Sequence, residues 1–484
     1  MLTSPHVRFH IKRVVFAVLR SVSDPRLEEW TVLDEVTRGS SAQLAAEAWQ
    51  ATHASGAWFD LLDEQAVLQA GLASADEARV DAVFTALYHA RQIRPDRVAE
   101  LLEPYGGTSE AWRRRFLWLM SAPEQASSRR LFDLFLRLVR DGTLDDGGAV
   151  HSEFWFLADN VAAARPDWAC EAVGAYLDRT WELCAAAGNA DPFGSEIPGD
   201  SLHERELFAR CARAAPVAWL THVLPFMQRV MAATAVRDGP PPWDDRVWRW
   251  RVFDAHGVKH VLLEATAVAL EESARADPAG YTQLAAVLEQ TEMETLLFLA
   301  ARGYAAGGAA CADAAVTFLL GGDARFELGY TDSARWVTRR LIEAATPHCS
   351  EGLLARLEAA IHAYRPASER GRGHRWGLGQ LILLEGIPEE RRSPTVRRRL
   401  AELRRKFPHY AVPEPRETEA ELIGPPIPEQ AAARMTDVQW LRAMARHSVE
   451  RDFDERGGRL VGGAPELASL LEGEARAAPV RFAP

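Results

Sequence analysis

Lysine is scarce. Of 56 basic residues only Lys12, Lys259 and Lys406 are lysine, leaving 53 arginines. A P-loop requires G-x-x-x-x-G-K-[ST], with the lysine reaching the nucleotide phosphates. The three lysines are followed by Arg13, His260 and Phe407, so none belongs to such a loop. Cysteine is also sparse. Cys170, Cys184, Cys211, Cys311 and Cys349 are odd in number, widely spaced and form no C-x-x-C pair, which excludes a disulfide framework or zinc ribbon and points to reduced, buried thiols. Long apolar runs are missing too. Val14–Leu19 is closed by Arg20, well short of the ~18 residues of a membrane span and without a signal-peptide cleavage site. A cytoplasmic chain with no membrane association is expected. Alternating Val/Ile/Thr segments with two-residue hairpin turns do not occur, so strands should be scarce.

What is present is ordinary globular composition with a helical grammar. The 484 residues are 48% hydrophobic and 26% charged, enough for two to four packed units of roughly 100–200 residues. Fifteen Trp suggest extensive buried helix–helix contact. The net charge of −12 argues against a general polyanion binder, so a nucleic-acid partner is not expected. Apolar residues recur at i, i+3, i+4 spacing through Val14–Leu19, Leu27, Trp30, Leu33 and Val36. Helix starts are marked by Asp24-Pro25, Ser74, Thr108-Ser109, Pro123 and Asp277-Pro278. Aligning Pro166 with Pro216 matches Val173 with Val223, Tyr176 with Phe226, Leu177 with Met227 and Arg179 with Arg229. The fold class expected is all-α, an irregular HEAT/TPR-like helical-repeat solenoid with a small helical C-terminal piece.

Three breaks divide the chain. Arg237–Pro242 is a rigid turn, Pro366–Gly379 a glycine-rich loop, and Pro408–Asp437 an extended stretch with Pro413, Pro415, Pro425, Pro426 and Pro428 among acids. The expected segments are N-terminal helical repeats at 1–236, a second repeat segment at 243–407, a Pro-rich linker at 408–436 and a helical piece at 437–484.

Few residue groups carry chemistry. His256, His260 and Glu264 fall on one helical face, but Gly257 stands where an H-E-x-x-H motif has glutamate, so a solvated or part-buried histidine face is the better reading than metal. Gly371-Arg372-Gly373-His374-Arg375-Trp376-Gly377 lacks both the dinucleotide spacing and a preceding strand. Gly194-Ser195-Glu196 is not a nucleophile elbow. No cofactor is implied, and a non-enzyme is expected. Residues 365–406 hold twelve Arg or Lys against five Asp or Glu, net +7, which leaves −19 for the rest of a chain at −12. A solvated helix face pairing with acidic neighbours is the favoured reading, with nucleic-acid or phosphate contact the alternative.

Trp243, Trp248, Trp250 and Phe253 follow the Pro-rich turn, interleaved with Arg246, Arg249 and Arg251. Trp and Arg anchor protein interfaces, whereas Trp at i and i+2 can equally fill two faces of a buried helix. Trp243, Arg246, Trp248 and Arg249 are the candidate protein-binding residues.

Three phrases carry a family resemblance. They are His10-Ile11-Lys12-Arg13-Val14-Val15-Phe16 with Asp24-Pro25 and Glu29-Trp30; Leu328-Gly329-Tyr330 with Trp336-Val337 and Pro347-His348-Cys349; and Met435-Thr436-Asp437 with Trp440–Met444, Gly462-Gly463-Ala464 and Leu467-Ala468. Together they resemble the helical C-terminal sensor region of large bacterial STAND-type NTPases of antiphage defence. In that family the helical array binds a foreign protein, and a preceding NTPase and effector respond. The resemblance implies an internal, sensor-like piece without NTPase or effector, whose partner is a phage protein or a separately encoded NTPase. A free-standing helical adaptor for a host complex is the alternative.

Overall fold

The computed structural model describes residues 17–31, 42–53, 56–105, 109–120, 128–143, 145, 149–193, 202–253, 257–366, 369, 376–416, 425–447, 451–454, 459–477 and 481. Helices dominate them, as expected for an all-α chain. The chain divides into two units, 1–417 and 418–484. The expected boundary at 237–242 lies inside the first unit, where helices before the turn (Leu202–Ala214 and Pro216–His222) pack against Val258–Ala276 after it. Among the described residues the only strands in this unit are Ala235–Val236 and Asp244–Asp245, an antiparallel pair that closes the Pro-rich turn.

A recurring corner builds the first unit. The helices Ala149–Ala164, Leu202–Ala214 and Val258–Ala276 are each separated by a single residue from a proline that begins the next helix. The intervening residues Arg165, Ala215 and Asp277 share φ near −140° and ψ between 58° and 83°. Proline sterically bars its predecessor from the α region, and its missing N–H does no harm at the first helical position. The chain therefore turns sharply without leaving helical structure for more than one residue.

Packing then repeats along the chain. Val173, Leu177, Val223, Phe226 and Met227 are buried and Tyr176 nearly so, which makes the two stripes aligned on Pro166 and Pro216 core faces. Aromatic rings link successive helices: Phe132 stacks on Trp168, Phe154 on Tyr176, and Phe208 meets both Trp155 and Trp219. Arginines join the same layers at the surface. Arg94–Asp60, Arg97–Asp63, Arg115–Asp81 and Arg179–Asp145 each span 34 residues. Arg210–Asp159 and Arg229–Asp178 span 51, where the helices lengthen. Exposed pairs of this kind are worth about 0–1 kcal/mol each, so they set register while apolar burial supplies the stability.

A close helix contact is made at Gly174. A Cβ there would lie 2.5 Å from the His222 carbonyl oxygen and 2.8 Å from the His222 Cβ. Gly174→Ala is expected to destabilise the protein by about 1–3 kcal/mol, because backbone rather than a mobile side chain must retreat. A urea-denaturation midpoint equal to that of the parent chain would refute this.

Val258–Ala276 and Glu294–Gly307 form the centre of the first unit. The stretch Glu294–Leu319 is long and apolar enough by length and composition to cross a membrane, contrary to the expectation that no apolar run would be. It is interrupted at Gly308 (φ 52°) by a 3-10 turn, and 61% of its most apolar window is buried among other helices, as in a core helix. The second unit holds the helices Glu429–Ala432, Asp437–Arg446 and Ala464–Ala477 and an antiparallel hairpin, Arg451–Asp454 with Arg459–Gly462. Thr436 and Gln439 form a reciprocal capping box, and Trp440, Ala432, Ala443 and Leu467 are its core.

Candidate protein-binding surface

The Trp/Arg segment after the Pro-rich turn is not a helix. Asp245 organises it: its buried carboxylate accepts hydrogen bonds from the Val247 (2.9 Å) and Trp248 (2.6 Å) backbone N–H groups and from Thr295 Oγ1 (2.5 Å). Burial pushes this carboxyl up from its ordinary value in spite of these donors. The turn drives Trp248 inward, where it is fully buried, donates Nε1–H to the Lys259 carbonyl at 2.8 Å and meets Phe193 edge-on. Trp248 is thus a core residue and presents nothing to a partner. Trp243 is half-buried, with its backbone tied to Glu292 and Glu294 and its Nε1–H on the Gly239 carbonyl. Arg246 and Arg249 are exposed, and the Arg249 guanidinium lies 4.7 Å from the ring of Trp250, which is 59% exposed.

Arg251 also turns inward. It is held by both oxygens of Glu294 (2.5 and 2.6 Å) and by the Gly329 carbonyl (3.2 Å), and it lies over the Phe298 ring. Burial raises the Glu294 carboxyl even with Arg251 beside it. This buried pair ties the segment to the helical centre.

A surface feature of another kind lies between Pro216–Thr234 and the helix Pro278–Glu289. A groove of about 490 Å³ opens there, with Val217, Leu220 and Leu224 on one wall and Leu284, Val287 and Leu288 on the other. Val217 is 71% exposed and Val287 56% exposed. The groove exists because two successive Pro-corner helices, begun by Pro216 and Pro278, leave aliphatic residues on their outer faces. Its only charged lining residue is Asp277, whose carboxylate already caps its own helix through Gly280 N–H at 3.0 Å. Ser273 Oγ is buried at the groove without a hydrogen-bond partner. Such a largely apolar concavity suits protein side chains. Sequence reasoning missed it. The available signal was an aliphatic residue directly after a corner proline.

The other sequence candidates fall elsewhere. Glu264 is hydrogen-bonded to Arg302, and His260 is held below its usual value by burial and then by Lys259. His256, Gly194, Ser195, Glu196 and Gly371–Arg375 lie outside the described residues. Among the described residues no group of three or more His, Cys, Asp or Glu is placed to hold a metal ion. All five cysteines are buried thiols. No family model, no curated protein and no solved structure matches the chain.

Proposed function

We propose that this chain is a non-enzymatic, protein-binding helical-repeat scaffold, the sensor-like part of a STAND-type bacterial defence protein acting in the cytoplasm. The observation that carries the binding role is the groove beside Val217 and Val287, an exposed aliphatic concavity. Its occupant is a partner helix inserting two or three aliphatic side chains, with Trp243, Arg246 and Arg249 as candidate further contacts. The repeat character is supported by the recurring Pro corners and by the 34-residue spacing of Arg–carboxylate bridges. The defence role is supported by the sequence phrases around Val14, Tyr330 and Trp440. A non-catalytic role is supported by the buried titratable groups, since Asp245, Glu294 and Arg251 are all spent on one another or on the backbone.

The test is capture by the tagged chain from phage-infected and uninfected cells, run beside a Val217→Glu/Val287→Glu variant. Both positions are exposed, so the variant should melt like its parent. One phage protein held only after infection, and lost about tenfold or more in the variant, is the expected result. A host protein held equally in both states would replace the sensor reading with that of a free-standing adaptor. Capture that ignores the two glutamates would remove the groove from the binding site.

A further inference from the structure

Many surface arginines of the first unit pair with carboxylates, several of them across to another element. The helix Pro394–Lys406 breaks that pattern. Val396, Leu400 and Leu403 bury one face of it. At 100° per residue, Arg397, Arg398 and Arg405 cluster away from that face around exposed Ala401, with Arg404 at the flank. The pairing expected of this helix is made on its flanks, where Arg399 binds Glu402 and Gln380 and Arg404 binds Glu385. Arg397 reaches only the Glu389 carbonyl at 3.3 Å. Among the described residues, Arg398 and Arg405 have no hydrogen bond or ion pair. Nearby Arg392 is held below the usual guanidinium range, by burial first and by the charge of Arg404 second, against the opposing pull of Glu389, Glu385 and Glu390.

We propose that this arginine face docks an acidic helical segment of a protein partner. Arg398 and Arg405 are seven residues apart, about 10.5 Å along the helix axis, with Arg397 beside them. A helix laid alongside has the same rise, so carboxylates at i, i+3, i+4 and i+7 meet these three arginines at once. Ala401 at the centre lets the two backbones approach. Arginine suits this role through the planar fork it offers to carboxylates. A duplex nucleic acid fits less well. It carries one charge per ~1.7 Å and would run past this 13-residue helix onto a remainder of the chain at −19. A short acidic helix touches the basic face alone. The assignment is separate from the apolar groove and stands whether or not that groove binds.

The probe is a fluorescein-labelled 21-residue Ala/Glu helix with glutamates at i, i+3, i+4 and i+7. An Ala/Gln helix of equal length and a 21-nucleotide single strand serve as comparisons, all read by anisotropy on the full chain. The acidic helix should bind at about 0.05 M salt and release as salt approaches about 0.3 M. Arg398→Glu/Arg405→Glu should weaken it about tenfold or more, while Arg398→Lys/Arg405→Lys keeps most of the binding. Both positions are exposed and without partners, so circular dichroism and melting should not change. Failure of the acidic helix to bind at low salt overturns the proposal, as does equal binding by the charge-reversed variant. Tighter binding of the oligonucleotide with the same dependence on Arg398 overturns it in favour of nucleic acid.

Discussion

Arg251→Met should lower the stability of the first unit by about 3–5 kcal/mol at pH 7.5, the usual result of stripping one partner from a buried ion pair. Arg251 is 7% exposed and holds both oxygens of Glu294, so its removal leaves a buried carboxylate with no counter-charge. The defect should depend on pH in a defined direction. Burial already raises the Glu294 carboxyl, and loss of Arg251 raises it further. Between the unfolded value and the raised folded value, the folded state binds the extra proton, so stability falls as pH rises through that window. The window is wider in the variant. Arg251→Met should therefore lose less stability at pH 5 than at pH 7.5, and adding Glu294→Gln should restore most of what is lost at pH 7.5. Urea titrations at the two pH values check this. A loss below about 1 kcal/mol, or one independent of pH, would mean that solvent already screens the pair.

Much of the helical frame was legible because proline and short polar side chains act locally. Asp277 caps the helix begun by Pro278, and Ser109 accepts from Trp112 N–H, as their positions in the sequence suggested. Ser74 shows how such a signal slips by a turn. The cap of Glu77–Ala90 is Asp76, and Ser74 instead accepts from the Asp76 N–H. The alignment of Pro166 with Pro216 extends from its three apolar pairs to its polar one. Arg179 and Arg229 both reach back to an acid on the preceding layer, Asp145 and Asp178. The third corner, at Pro278, has the same backbone geometry with little sequence likeness, because proline alone imposes it.

The candidate binding residues were less legible, for two physical reasons. The segment around Trp248 reads as a helix by composition, whereas the Asp245 carboxylate folds it as a turn. The spacing argument that ranks helix faces therefore does not apply, and which Trp goes inward depends on a hydrogen bond between residues 50 apart, Asp245 and Thr295. The groove joins Val217 to Val287 across helices with no periodicity in common. Local patterns report caps and faces, but a concavity between two corners is a property of their relative position. Charge was legible in sum and not in detail. The +7 of residues 365–406 was visible, but which arginines are neutralised emerged only with Glu385, Glu402 and Gln380 in place.

His53 should give this protein an acid-sensitive limb between pH 6.5 and 4. The side chain is fully buried at the end of the helix Ala42–His53, where its ring packs against Trp49. Nδ1 lies 2.7 Å from the Trp49 carbonyl and so carries the proton as donor, while Nε2 has no partner. A helix C-terminus favours a cation by about 0.3–1 kcal/mol. Burial outweighs that preference, and the charge of Arg79 adds to burial, so the imidazole is pushed down to about 4. The unfolded chain takes up a proton as pH falls through 6.5, and the folded state does not follow until about 4. The proton therefore favours unfolding across that window. Full traversal amounts to about 3 kcal/mol at 1.36 kcal/mol per unit. His53→Leu removes the titration but keeps an apolar side chain in the site. Its stability at pH 7.5 should stay within about 1 kcal/mol of the parent, because one hydrogen bond is exchanged for apolar burial. The parent should then lose up to about 3 kcal/mol more than the variant between pH 6.5 and 4. His89 and His260 are also held low by burial, but they titrate alike in both proteins, so the difference between the two curves isolates His53. Parallel curves would show that His53 already meets solvent, and that the contact between Ala42–His53 and Glu77–Ala90 is looser than its packing indicates.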